Sequence, residues 1–135
     1  MKQEEIEVLI NYRLEQAQTA LDDARYLLEG QRSPQGIINR SYYAMFYAAI
    51  ALLQKIGRIP SKHAGVISLF DTEFVKKGIF SKQLSKDFHR AFELRQVSDY
   101  RTSCVVHAVL VAHRGGYLTL PDSADCICIS LTNWL

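Results

Sequence analysis

The sequence has little of the material from which several classes of protein are built. Its 135 residues include only three prolines and seven glycines, which excludes collagen-like and low-complexity chains. Acidic and basic residues nearly balance, and a formal net charge of +2 excludes a strongly basic protein that binds nucleic acid by counterion release alone. No apolar stretch reaches the ~20 residues that a membrane span requires. Hydrophobic residues make up 48% of the chain, which predicts a folded globular protein.

The sequence also lacks the motifs of common cofactor and metal enzymes. It contains no G-x-x-x-x-G-K-[ST] loop, no G-x-G-x-x-G fingerprint and no H-E-x-x-H pair. Cys126 and Cys128 could join His107 and His113 as zinc ligands, but the usual C-x₂₋₄-C spacing is missing. We therefore expect neither a metal nor a cofactor.

The N-terminal sequence and the cysteines both predict a cytoplasmic protein. The first residues, MKQEEIEVL, lack the apolar core of a secretory signal. The three cysteines are then expected to remain as inert thiols in a reducing compartment.

Residues 1–101 carry four segments with helical periodicity. We predict helix 1 over 3–29, helix 2 over 34–56, helix 3 over 62–77 and helix 4 over 82–96. Helix 2 is apolar on most faces, so it belongs at the centre of a bundle or across a dimer interface. The apolar stripes of the other helices comprise Ile10, Leu14, Ala17, Leu21, Ala24 and Leu28, then Val66, Ile67, Phe70 and Phe74, then Leu84, Phe88, Ala91 and Phe92. The predicted fold is all-α, an antiparallel up-and-down four-helix bundle.

Residues 102–135 have a different composition. They hold only three charged residues, Arg114, Asp122 and Asp125. Residues 104–112 are rich in β-branched side chains, and CICIS resembles a short strand. A fifth helix near 103–113 and a short hairpin or unstructured end remain as alternatives. We assign 1–101 to the bundle and 102–135 to an atypical hydrophobic segment that is not a separate domain.

Polar residues interrupt the apolar pattern of helix 2 and begin helix 3. Asn39, Arg40 and Tyr43 either pack at the rim of the core or line a polar groove. His63 either caps helix 3 or acts as a base, because the positive end of the helix dipole favours a neutral imidazole.

A third polar group closes helix 4. Arg95, Asp99, Tyr100 and Arg101 fall within seven residues. Arginine here either complements the helix dipole or binds a phosphate through its bidentate guanidinium. A further basic group near the turn between helices 3 and 4 either contacts RNA or forms a solvated corner; it consists of Lys76, Lys77, Lys82 and Lys86.

The segments NRSYYAMFYAAIALL, KHAGVISLF and FVKKGIFSKQLSKDFHRAFELRQVSDY follow one another within residues 5–101. In this order they resemble the small prokaryotic HEPN domains, which are often encoded beside a minimal nucleotidyltransferase. The resemblance implies a dimeric bundle of four or five helices, paired with the nucleotidyltransferase in a toxin–antitoxin-like system. Many such domains are metal-independent ribonucleases that use an R-x₄₋₆-H motif at the dimer cleft. Others are binding modules without catalysis.

The resemblance places Arg95 at the arginine of that motif, but residues 100–102 include no histidine. Two other windows fit the spacing, Arg58 to His63 and Arg101 to His107, and chance alone supplies such windows in this composition. The candidate catalytic residues are Arg95, Asp99 and Tyr100, and the candidate substrate-binding residues are Asn39, Arg40, Tyr43 and His63. Two functions follow: an RNA-cleaving toxin with a degenerate motif, or a non-catalytic module that binds a nucleotide or the nucleotidyltransferase.

The C-terminal segment departs from what the resemblance implies. A charged amphipathic helix is expected after Tyr100, and the sequence instead loses its charges near residue 101. One hypothesis is a frameshift or a divergent gene end. The other is a divergent hydrophobic helix that closes the bundle.

Overall fold

The computed structural model describes residues 2–100, with side chains up to Gln96. These residues form four α-helices: α1 (Gln3–Glu29), α2 (Pro34–Lys55), α3 (His63–Phe70) and α4 (Lys82–Tyr100). A π-helical turn over Asp71–Val75 continues α3. This part of the chain is an all-α bundle, as predicted. The alternatives for residues 102–135, including the zinc ligands, lie outside the described residues.

Helix α2 is the central element, because it contacts α1, α3 and α4. Ser33 caps its first turn by accepting a hydrogen bond from the Gly36 backbone N–H at 3.2 Å. Its alanines 44, 48, 49 and 51 are fully buried, which allows neighbouring helices to approach closely. The apolar character on most faces of this helix therefore reflects packing against three neighbours.

The predicted stripes of the other helices form the core. Most of their members are buried: Ile10, Ala17, Leu21 and Ala24 of α1, Val66, Ile67, Phe70 and Phe74 of α3 and its π-helical turn, and Leu84, Phe88 and Ala91 of α4. Because apolar residues at helical spacing share one face, burial of that face fixes how each helix is rotated.

Two glycines end helical segments in the left-handed conformation. Gly57 has φ +75°, and its N–H bonds to the Gln54 carbonyl while Arg58 N–H bonds to the Leu53 carbonyl. Gly78 has φ +77°, and an equivalent pair of bonds forms after the π-helical turn. They run from the Gly78 N–H to the Val75 carbonyl and from the Ile79 N–H to the Phe74 carbonyl. This is the Schellman arrangement, and glycine adopts it without steric cost.

The third helix differs from the prediction of one regular helix over 62–77. It begins at His63 and changes at Asp71 to π-helical geometry, where the Lys76 N–H bonds to the Asp71 carbonyl at 2.8 Å. The wider turn keeps Phe70 and Phe74 buried together, with ring centroids 5.8 Å apart. Helix α4 continues to Tyr100, four residues beyond the predicted end.

Candidate functional site

The candidate site is built around Tyr42, a fully buried residue of α2. Its hydroxyl lies 2.8 Å from Nδ1 of His63, the first residue of α3. Its ring contacts Phe88 and Phe92 of α4 at centroid distances of 6.2 and 5.8 Å. Tyr42 therefore joins α2, α3 and α4 at one point.

His63 is held in a fixed orientation by aromatic rings. Its imidazole stacks on Phe46 with centroids 4.2 Å apart and planes 9° from parallel. The side chain is half-buried, and this burial lowers the pKa of His63 below its usual range, with a further contribution from the Arg95 charge. His63 is therefore neutral at pH 7, the state predicted from the sequence, although burial is the leading cause.

The hydrogen bond to Tyr42 determines which nitrogen of His63 carries the proton. The pKa of Tyr42 is raised well above its usual range, mainly because the phenol is buried, and the Arg95 charge opposes this shift only in part. The phenol thus remains protonated and can donate to Nδ1 of His63. A neutral imidazole that accepts at Nδ1 carries its hydrogen on Nε2, so Nε2 is then a donor.

Arg95 of α4 covers the rings of the two adjacent tyrosines. Its guanidinium carbon lies 5.3 Å from the Tyr42 ring centroid and 5.2 Å from that of Tyr43. Cation–π contacts of this kind hold a planar guanidinium against aromatic rings. The charge of Arg95 is also close enough to His63 to influence its pKa.

A second guanidinium approaches the same tyrosine from α2. Arg40 lies 5.2 Å from the Tyr43 ring centroid. Its Nε and Nη2 donate to the Asn39 side-chain oxygen at 3.0 and 2.7 Å. Arg40 and Arg95 thus place two positive charges against one ring, and this electrostatic environment favours an anion.

The predicted site residues fall into two groups. Five of them lie together beside Tyr42, through the contacts given above: Asn39, Arg40, Tyr43, His63 and Arg95. Asp99 and Tyr100 belong to the last turn of α4, but their side chains lie outside the described part of the chain.

Sequence reasoning missed Tyr42 and Phe46 as parts of the site. Both are buried, and their spacing in an apolar helix marks them as core residues. The adjacent pair Tyr42–Tyr43 was the available signal, because neighbouring helical positions point in different directions and one phenol had to be buried.

The lysines near the turn before α4 are exposed, as a solvated corner would be. Lys77 Nζ is 2.6 Å from a carboxylate oxygen of Glu73, and Arg58 is 3.8 Å from the other oxygen.

Within residues 2–100, no helix is both long and apolar enough to cross a membrane, and no three His, Cys, Asp or Glu side chains cluster as metal ligands.

The chain is similar to proteins from bacteria and archaea. It is 45% identical over 96 residues to a protein of Thermotoga maritima named UPF0332, covering 71% of this chain and 72% of that protein. It is 36% identical over 99 residues to a Methanocaldococcus jannaschii protein named "putative toxin", covering 73% of this chain and 70% of that protein. A second M. jannaschii protein with the same description is 33% identical over 81 residues, 58% of this chain and 55% of that protein.

The family model for the HEPN domain matches residues 10–111. This match covers most of the sequence, and the chain therefore belongs to the HEPN domain family.

Proposed function

We propose that this HEPN protein is the toxin of a toxin–antitoxin-like pair and that it acts on RNA through Arg95 and His63. The toxin names of two relatives support the first part. The second part depends on one observation: Arg95 and His63 both contact the rings of Tyr42 and Tyr43. The histidine that the R-x₄₋₆-H spacing lacks on α4 is thus supplied in space by the start of α3.

The geometry suits a phosphodiester as ligand. Arg95 can donate two N–H groups to non-bridging phosphate oxygens, and Arg40 adds a second positive charge beside the Tyr43 ring. In metal-independent cleavage, His63 Nε2 takes the proton from the 2′-hydroxyl while that oxygen forms a bond to phosphorus. The bond from phosphorus to the 5′-oxygen then breaks, which yields a 2′,3′-cyclic phosphate, and a proton from solvent completes the new 5′-hydroxyl.

His63 must change tautomer to serve as that base. Nδ1 then carries the hydrogen and donates it to the Tyr42 oxygen, which frees the Nε2 lone pair. A buried hydroxyl can exchange the two roles because it both donates and accepts. The site can therefore hold the substrate phosphate with one tautomer and accept a proton with the other.

The hydrogen bond of Tyr42 also favours a second candidate function, a non-catalytic module that binds a phosphate. When Tyr42 donates to Nδ1, His63 Nε2–H is a fixed donor beside two guanidinium groups. Such a site binds RNA or a nucleotide without removing a proton.

Incubation of the purified chain with labelled single-stranded RNA, without divalent metal, separates the two functions. His63→Gln keeps an N–H donor near the position of Nε2 but cannot act as a base. For a ribonuclease we expect cleavage to fall by about 10²- to 10⁴-fold in His63→Gln, with RNA binding retained. Arg95→Ala should weaken both binding and cleavage, whereas Arg90→Ala, an exposed arginine on the same helix, should change neither.

Each outcome of this experiment has a definite meaning. Binding without cleavage in the wild type rejects the ribonuclease and supports the binding module. Cleavage that persists at the wild-type rate in Arg95→Ala rejects the proposed site.

The partner assignments belong to the same proposal. A minimal nucleotidyltransferase is the expected antitoxin, a second copy of the chain completes the working unit, and the cytoplasm is the expected location. Co-purification with the product of a neighbouring nucleotidyltransferase gene tests the pairing, and absence of a complex between the two purified proteins would argue against it.

A further inference from the structure

A second polar group lies beside the candidate site, in a cavity of about 290 Å³. The cavity opens between α3, the π-helical turn and α4. Ala64, Ile67 and Phe92 provide its apolar walls, and its polar lining includes Asp71, His89 and Lys76. Pockets for drug-sized ligands occupy roughly 300–1,000 Å³, so a cavity of this size suits one flat ring system rather than a whole nucleotide.

The carboxylate of Asp71 is held in place inside this cavity. Ser85 Oγ donates to one oxygen at 2.6 Å, and His89 Nε2 lies 2.6 Å from the other. Each carboxylate oxygen has a second lone pair, so both can still accept a hydrogen bond. Asp71 is the first residue of the π-helical turn, and such turns often occur at functional sites.

The cavity adjoins the site that holds Arg95 and His63. Ala64 directly follows His63 in α3, and Phe92 precedes Arg95 by about one turn of α4. The Phe92 ring is 5.8 Å from the ring of Tyr42, which also contacts His63 and Arg95. A ligand with its anionic group at Arg95 can therefore place a neighbouring ring against Phe92.

We propose that the cavity binds a base of the RNA whose phosphate lies at Arg95, and that Asp71 selects guanine. The inference rests on the proposed function, because it requires RNA at Arg95. Single-stranded RNA is recognised by stacking bases on aromatic side chains and by hydrogen bonds to their exposed edges. Guanine presents two adjacent donors, N1–H and the 2-amino group, which match the two oxygens of a fixed carboxylate. Adenine and cytosine offer one amino donor, and uracil has one N–H between two acceptors.

Replacement of guanine by hypoxanthine, the base of inosine, tests this selection, because it removes the 2-amino donor and leaves N1–H. The probes are fluorescein-labelled uridine hexamers that contain one guanosine, one inosine, or neither, and every nucleotide carries a 2′-O-methyl group so that no strand can be cleaved. We expect the full-length chain to bind the guanosine hexamer roughly tenfold more tightly than the inosine hexamer in fluorescence anisotropy. Asp71→Asn should bring this ratio close to one. Asp87→Asn, which alters a carboxylate of α4 outside the cavity, should leave the ratio unchanged.

The comparison of probes on the wild-type protein does not depend on how a variant folds. Equal affinity for guanosine and inosine hexamers, with binding that still requires Arg95, overturns the base site and leaves the phosphate site intact. A guanine preference that survives in a folded Asp71→Asn variant, checked by circular dichroism, also overturns it. No binding of any hexamer overturns both this inference and the RNA-directed function.

Discussion

The protonation state of His63 is determined by the side chains around it. Phe46 covers one face of the imidazole, Tyr42 accepts or donates at Nδ1, and Arg95 adds a positive charge nearby. Burial of the imidazole is the larger cause that lowers the pKa of His63 below its unfolded value near 6.5, and the Arg95 charge lowers it further.

This shift predicts how stability depends on pH. Because the folded chain binds a proton at His63 less readily than the unfolded chain, neutral His63 contributes stability fully above its unfolded pKa near 6.5. That contribution is lost as the pH falls from there through the lower pKa of the folded chain. Urea unfolding at pH 7.5, 6.5 and 5.5 should show a steeper loss of stability for the wild type than for His63→Asn. Parallel pH profiles for the two proteins would contradict the assignment.

At the residue scale, sequence reasoning selected seven candidate site residues, and the structure brings five of them together around Tyr42, which was not among the seven. Asn39, Arg40 and Tyr43 could be selected because polar residues in an apolar helix are conspicuous. His63 was selected because it begins helix 3, and Arg95 because the resemblance places it at the motif arginine. Tyr42 was not selected, because a buried tyrosine fits the core pattern and its one signal was the adjacent Tyr43. The approach of His63 to Arg95 depends on the packing of α3 and α4 against α2, and a linear R-x₄₋₆-H spacing does not represent it.

At the level of helices and turns, local signals were sufficient for most boundaries. The extents of α1 and α2 agree with prediction to within one residue. At the ends of α2, Ser33 acts through its capping side chain, and Pro34 and Gly57 act through their backbone geometry. The π-helical turn at Asp71 could not be predicted, because its residues also fit a regular helix. This turn brings the Asp71 carboxylate against α4, where it contacts Ser85 and His89. The position of the cavity therefore depends on a feature without a sequence signature.

The left-handed glycine after α2 yields a prediction for this element. Space around a Cβ at Gly57 is open, with no atom within 4 Å, so only the φ of +75° opposes a side chain. Gly57→Ala should therefore reduce the free energy of unfolding by about 1 kcal/mol. Gly57→Asn should recover part of that loss, because asparagine tolerates this conformation. Equal losses for alanine and asparagine in chemical denaturation would point to a cause other than φ.

At the scale of the whole molecule, the proposed dimer follows from a surface of α2. Tyr43, Tyr47 and Ile50 are only half-buried in the isolated chain, although they lie on the helix that forms the centre of the core. Tyr47 also packs beside Arg13 of α1, 5.9 Å from the ring centroid to the guanidinium carbon. A second copy of the chain would cover this aromatic face and bring two candidate sites close together.

Light scattering after size exclusion should thus give the mass of a dimer, and the melting temperature should rise with protein concentration. Tyr47→Glu should shift the mass toward that of a monomer, because it places a charge on the covered face. Tyr26→Glu is the matched control, since Tyr26 is 77% exposed on α1. A monomer at all concentrations, or an equal effect of both substitutions, would contradict a dimer through α2.

The central position of α2 also has a consequence for synthesis on the ribosome. Helix α1 precedes α2 and can cover one side of it as soon as both have left the exit tunnel. The side that packs on α4 must wait for residues 82–100, and at roughly 5–20 residues per second this delay lasts for seconds. During that interval the side of α2 that carries Tyr42 is uncovered, because its partners Phe88 and Phe92 belong to α4. A trigger-factor-like chaperone that binds exposed aromatic segments is therefore expected to crosslink to chains stalled before α4, and to release them once α4 has emerged.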